Sequence, residues 1–311
     1  MKPKTAFTPL EMEIYKRSSP TTGQGPYGVN KRFLTGLAKK DLVVVLACII
    51  FLLANLAAIG PSGRRHAKQM LCLSNLHKWG TIFQAFAADN DGNFMPGWCA
   101  SKTFPNPIDY AKCYWMEALR PYYGNNHKLR CCPEAAIPGS ELSGNPWGGN
   151  GTFTAWGAFA GEVCGEPSDA WPYTIACDYG SYGWNGWLGN PPPDVLPDLG
   201  QDHPVEWNWR TANVAGADNI PLFTDNQWID AWPRRTDDPP EYEGQPWWES
   251  EESMLRVCIN RHNGFINSAF LDFSARKVGL KELWKLKWHR QFDVNYPPPD
   301  WPPWMQDFQD Y

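Results

Sequence analysis

Residues 42–59 read LVVVLACIIFLLANLAAI, an 18-residue run in which Asn55 is the one strongly polar side chain. Wound as an α-helix, the run rises roughly 27 Å, close to the hydrocarbon thickness of a bilayer. A helix buried in a soluble domain needs a single apolar stripe, whereas this run is apolar on every face. It therefore reads as a membrane-spanning segment, and that reading decides the architecture expected of the chain: an anchored N-terminal helix with the remaining residues on one side of the membrane.

The flanks set the orientation. Residues 1–40 carry Lys2, Lys4, Lys16, Arg17, Lys31, Arg32, Lys39 and Lys40 against Glu11 and Glu13, while Arg64, Arg65 and Lys68 follow the run. The difference favours a cytoplasmic N-terminus by a small margin. A cleaved secretory signal fits less well, because its apolar core is shorter and no small-x-small site follows residue 59.

The 311-residue chain as a whole has a mean hydropathy of −0.48, which excludes several spans but not a single anchor. A net charge of −5 supplies no basic field for nucleic acid. Only 20% of residues are charged, whereas Gly (27), Pro (29) and Trp (18) are abundant, which predicts a loop-rich domain whose burial comes from aromatic rings. Eleven of those tryptophans, Trp147, Trp156, Trp171, Trp184, Trp187, Trp207, Trp209, Trp228, Trp232, Trp247 and Trp248, crowd the middle of the chain. They read first as core and second as a platform for stacking sugars.

Nine cysteines are present. Cys48 lies within the apolar run, leaving Cys72, Cys99, Cys113, Cys131, Cys132, Cys164, Cys177 and Cys258. Zinc is the competing use. No C-x2-C pair occurs, however, and the adjacent Cys131-Cys132 is poor ligand spacing, so no metal ligand is assigned. Disulfides in an oxidising compartment fit better, and eight cysteines allow about 105 pairings.

Beyond Gly60-Pro61-Ser62-Gly63, a predicted break, a second helical pattern runs over residues 64–88. Cys72, Leu76, Trp79, Phe83 and Phe86 recur at steps of four, three, four and three and form one stripe. Asp89-Asn90-Asp91-Gly92 reads as the turn that ends this helix; it also has the look of half a calcium loop, but the remaining ligands are missing and no cofactor is assigned. Residues 254–278 predict a β-hairpin, with strands over 255–259 and 267–273 and a turn at Asn263-Gly264. His262 and Asp272 flank the second strand with no nucleophile in view, so neither is given a catalytic role. Residues 281–290, KELWKLKWHR, predict a short amphipathic helix docked on the domain. Residues 291–311 form a Pro/aromatic-rich tail, extended and free either to cover its own domain or to reach a neighbour.

Ahead of the apolar run stands Arg32-Phe33-Leu34-Thr35-Gly36-Leu37-Ala38-Lys39-Lys40-Asp41. This resembles a type IV prepilin processing site, a basic leader and a glycine followed by an apolar stretch with an acid at its fifth residue. Two features depart from that pattern: Asp41 stands where glutamate is usual, and Lys39-Lys40 interrupt the stretch. The wording Ala67-Lys68-Gln69, Cys72-Leu73-Ser74-Asn75-Leu76 and Leu129-Arg130-Cys131-Cys132-Pro133 resembles the pseudopilin-like proteins abundant in planctomycetes. So does His262 followed ten positions on by Asp272, similar to their H-x9-DG element with Phe273 in place of the glycine. Residues 140–250 resemble nothing in that group.

The resemblance implies an α+β, pilin-like fold. A long N-terminal helix, transmembrane in its first half, would pack on a small antiparallel sheet with a large loop-rich insertion. It implies a leader over 1–36 cleaved after Gly36, so that Leu37 begins the mature chain, a helix over 37–89 and an extracytoplasmic domain over 90–290. It further implies that Asp41 neutralises a neighbour's N-terminal amine, and that Leu42, Val45, Ile49, Leu52 and Leu56 lie in the membrane and then in a filament. Cys72 is expected to pair with Cys131 or Cys132. The implied role is a non-enzymatic subunit of a type IV pilus-like or type II secretion-like filament, stored as a single-pass protein of the inner membrane. Its partners would be other pilin-like subunits, a prepilin peptidase, and an assembly platform with its ATPase. A membrane-tethered, Trp-rich glycan-binding protein that does not polymerise is the other reading.

Overall fold

The computed structural model describes residues 39–58, 60–97, 113–124, 126–139, 151–157, 178–191 and 203–311, with the backbone alone at 54–58 and 61. These residues fall into two units, one ending at Ala58 and one beginning at Ile59.

The first unit contains helix α1, Lys39–Ala58, with Asp41 in its first turn, where a carboxylate complements the helix dipole. Every described side chain from Lys39 to Leu53 is exposed. Among the described residues no helix is long and apolar enough to cross a membrane. The described side chains of α1 stop at Leu53, six residues short of the end of the apolar run at 59.

The second unit is a mixed helix-and-sheet body. Helix α2, Pro61–Asp89, starts with Gly60 as its cap residue and Pro61 in the first turn, where the missing N–H costs nothing. It stops at the predicted place: Gly92 donates its backbone N–H to the Ala87 carbonyl at 2.7 Å, with Asp91 and Gly92 at φ 54° and 81°. The stripe read from the sequence is the docking face, with Cys72, Leu76, Trp79 and Phe83 fully buried and Phe86 nearly so. Burying each such side chain is worth roughly 1.5–3 kcal/mol. Trp79 is its centre: Nε1 donates to the Leu129 carbonyl at 2.7 Å, and the ring meets Trp115 edge-on at 5.3 Å and Phe223 at 5.0 Å. Two single-turn helices, α3 (Trp115–Ala118) and α4 (Arg120–Tyr123), close the far side of this layer.

Strands β1 (Trp156–Gly157) and β2 (Tyr179–Gly180) form a two-residue antiparallel ladder. The main sheet has the order β5-β3-β4-β6-β7, from β3 (Tyr182–Asn185), β4 (Pro221–Asp225), β5 (Asp230–Ala231), β6 (Phe265–Phe270) and β7 (Ala275–Gly279). All its pairings are antiparallel except β3 with β5. Pro221, which has no N–H for the ladder, takes the first position of β4 beside a bulge. Alternation along β6 divides the core: Ala269, like Leu271 just beyond the strand, joins the layer under α2, while Ile266 and Phe270 face a second layer. That second layer holds Trp187, Trp284, Trp288 and Phe292.

Four expectations change. The hairpin lies further along the chain than the sequence suggested, β6 pairing with β7 through the turn at 271–274. Residues 253–256 form a 3-10 turn instead of a strand, and Met254, Leu255, Val257, Cys258 and Ile259 are all buried around it. A short apolar run carries no period that separates such a turn from a strand. Asn263-Gly264, both at positive φ, is a turn entering β6 and does not join paired strands. Within 281–290 only Lys281–Lys285 is helical, as a 3-10 turn, although Leu283, Trp284 and Trp288 are fully buried. The tail covers its own domain: Met305 is fully buried, Trp301 meets Trp284 edge-on at 5.3 Å, and Trp304 Nε1 donates to the Pro240 carbonyl at 2.8 Å.

The aromatic residues of the middle act as core. Trp156, Trp184, Trp187, Trp209, Trp228 and Trp232 are buried, Trp207 and Trp247 are half-buried, and Trp248 is exposed. Trp147 and Trp171 lie outside the described residues.

Candidate functional site

Four chain segments converge beneath the N-terminal half of α2. The Cys72 stripe position comes from α2 itself. Cys132 follows a 3-10 turn at His127–Arg130, and its backbone N–H donates to Ser181 Oγ at 2.7 Å. Asp225 ends β4 opposite Tyr182 on β3. His262 stands before the Asn263-Gly264 turn, where its N–H donates to the Phe265 carbonyl at 3.1 Å.

The metal-binding atoms of Cys72, Cys132, Asp225 and His262 lie within 4.8 Å of one another, and all four residues are buried. Cys72 Sγ is 3.5 Å from each oxygen of Asp225. His262 Nε2 lies 3.2 Å from Asp225 Oδ2 and 3.5 Å from Cys132 Sγ. A second ring of groups holds the first. Arg261, fully buried, places Nη1 2.9 Å from Asp225 Oδ1 and 2.6 Å from the Ser181 carbonyl, and its Nε donates to the Thr152 carbonyl. The Asn267 N–H donates to Asp225 Oδ2 at 2.9 Å, and the Tyr182 hydroxyl donates to Cys72 Sγ at 3.3 Å.

The electrostatics follow from this packing. Burial alone would push the Asp225 carboxyl up, but His262 and Arg261 overcome it and hold the carboxyl well below its usual range. Burial would depress His262, and Asp225 with Cys132 instead lifts it to about 9. Burial would raise Cys132, yet its hydrogen bonds with Cys72 and His262 and the Arg261 charge bring it down to about 7. Burial, the Cys132 hydrogen bond and Asp225 all drive Cys72 upward. The same contact thus lowers the Cys132 thiol and raises that of Cys72.

Of the residues singled out in the sequence, the structure joins Cys72, Cys132 and His262. Asp272 sits apart, exposed in the β6–β7 turn, with Oδ1 accepting from Ser274 N–H at 3.0 Å and Ser274 Oγ–H at 2.7 Å. Cys131 is buried but absent from the cluster, and burial pushes its thiol to about 12. Cys258 is buried against Met305, and Cys48 is exposed on α1. Cys113 is disulfide-bonded. Cys99, Cys164 and Cys177 lie outside the described residues. Gly36 and Leu37 are outside them too, as is the side chain of Leu56. Leu42, Val45, Ile49 and Leu52 are between 46% and 59% exposed along α1. Asp225 and Tyr182 carried no sequence signal, each standing alone in an ordinary strand.

Comparison of the chain with protein-family models, with curated proteins and with solved structures finds no match.

Proposed function

We propose that the chain is a non-enzymatic structural subunit of a type IV pilus-like or type II secretion pseudopilus-like filament. Before assembly it is held in the inner membrane by residues 42–59, with its C-terminal body periplasmic or extracellular. The observation that carries this reading is α1, on which Val43, Val44, Leu46, Ile50, Phe51 and Leu53 as well as Leu42, Val45, Ile49 and Leu52 are exposed. Contiguous apolar surface of this kind demands a partner phase, and lipid followed by the same helix of other copies supplies one. In the sequence the run continues through residue 59, completing a span.

The body fits a filament subunit as well. Helix α2 lays a single stripe on a mainly antiparallel sheet, and the mature chain would begin at Leu37, four residues before Asp41. In that register the Asp41 carboxylate at the membrane edge is neutralised by the N-terminal amine of a neighbouring subunit. A glycan-binding role draws less support, because Trp248 is the one described tryptophan of the middle region presented to solvent. The Cys72–Cys132–Asp225–His262 cluster reads as structural, since its sulfurs, the Asp225 oxygens and His262 Nε2 face one another inside the core.

N-terminal sequencing of membrane-extracted protein tests the proposal. A mature start at Leu37 carrying an N-methyl group, together with fibres in sheared cell-surface material, is the expected result. An intact N-terminus at Met1 and no fibres would overturn it in favour of a simple tether.

A further inference from the structure

We propose that Cys72, Cys132, Asp225 and His262 form a tetrahedral zinc site that pins α2 to the sheet. Geometry carries the inference. With bonds of about 2.3 Å to sulfur and about 2.0–2.2 Å to nitrogen or oxygen, the edges of a zinc tetrahedron measure roughly 3.3–3.8 Å. The three edges fixed by hydrogen-bonding distances are 3.5 Å from Cys72 Sγ to Asp225 Oδ2, 3.2 Å from Asp225 Oδ2 to His262 Nε2, and 3.5 Å from His262 Nε2 to Cys132 Sγ. All ligand atoms fall within 4.8 Å of one another, so four donors from four segments surround one point.

The donor set suits the ion. Two sulfurs, one imidazole nitrogen and one carboxylate oxygen match a borderline-soft cation and suit magnesium or calcium poorly. The surrounding groups are those that orient metal ligands: the Tyr182 hydroxyl on the Cys72 sulfur and Arg261 on Asp225 Oδ1, the oxygen that does not contact His262. Charge also balances. Binding displaces the protons held by the two thiols and by His262 Nε2, and two thiolates with Asp225 leave the ion one negative charge in excess, which Arg261 cancels inside the core. Neutral His262 coordinates through Nε2. A cavity of about 640 Å³, lined in part by Gln69, Glu134, Arg261 and His262, reaches the histidine of the set.

The site stands independently of the filament proposal. It replaces the Cys72 disulfide expected from the resemblance, and the two uses of the same sulfurs exclude each other. Full-length protein extracted in detergent without chelator should contain about one zinc ion per chain by elemental mass spectrometry. Exchange with cobalt should give the thiolate charge-transfer band and the visible bands of a tetrahedral centre. Cys132→Ser and His262→Gln should lose the metal, whereas Cys131→Ser should retain it. Should a ligand variant fail to fold, the cobalt spectrum of the unaltered chain decides alone. A zinc-free protein with a Cys72–Cys132 disulfide in non-reducing peptide maps overturns the proposal, as does full zinc retention in folded Cys132→Ser.

Discussion

Gly80 offers a test of how closely α2 lies on the sheet, because two effects of known sign oppose each other there. In a solvent-exposed helix, Gly→Ala stabilises by roughly 1 kcal/mol, since alanine has less backbone freedom to lose. At Gly80, a Cβ would lie 2.5 Å from the Phe273 carbonyl oxygen, 3.2 Å from its carbon and 3.4 Å from its Cα. Relative to the ~3.5 Å optimum for non-bonded heavy atoms, the surfaces must part by roughly 1 Å. The obstacle is main chain in a closed turn. Phe273 is at φ 67° and donates its N–H to the Phe270 carbonyl, which leaves it little freedom to swing away. Overpacking of this kind costs about 1–3 kcal/mol, and the upper half applies when backbone must move. Gly80→Ala should therefore destabilise by about 1–2 kcal/mol after the propensity gain, and Gly80→Val by about 3 kcal/mol or more. Urea unfolding of the full-length chain in detergent, followed by tryptophan fluorescence, measures the difference, with Ser74→Ala on the exposed face of α2 as the propensity control. A Gly80→Ala protein more stable than the parent by about 1 kcal/mol would refute the close approach of helix and turn.

Other outcomes follow from single sites. Trp79→Ala should cost about 3–5 kcal/mol, and Trp79→Phe about 1–2, separating ring burial from the hydrogen bond to Leu129; equal losses in thermal unfolding would contradict that division. Arg130→Met should destabilise by about 3 kcal/mol, because it removes a buried 2.6 Å ion pair from Asp178, which keeps Arg120 as its remaining cation. Burial lifts the Asp237 carboxyl to about 6 despite backbone N–H bonds from Arg234 and Met254. Its native form thus holds the proton more tightly than the unfolded chain, and the associated stability is full below about pH 4 and lost as pH rises through 6. Asp237→Asn should accordingly gain about 1–3 kcal/mol relative to wild type at pH 7 and almost nothing at pH 4, and a pH-independent difference in urea midpoints would argue against it.

The sequence by itself determined what local periodicity can encode. An α-helix closes its hydrogen bonds four residues apart, so the stripe from Cys72 to Phe86 and the stop at Gly92 were readable without the rest of the chain, whereas the start, read at residue 64, lies at Pro61. The burial of Leu283, Trp284 and Trp288 was readable for the same reason, although their 3-10 geometry was not. Tertiary structure alone decided the strands and the buried cluster. Sheet partners are chosen across the whole chain: Tyr182 pairs with Asp225, and β6 turns back at 271–274 because Phe273 adopts a left-handed conformation that no apolar pattern announces. The cysteines make the same point. Their spacing argued against metal, since ligand motifs are recognised when donors are neighbours in sequence. Here the donors at 72, 132, 225 and 262 meet only because the middle of α2, the exit of a 3-10 turn, the end of β4 and the approach to β6 come together at one place in space.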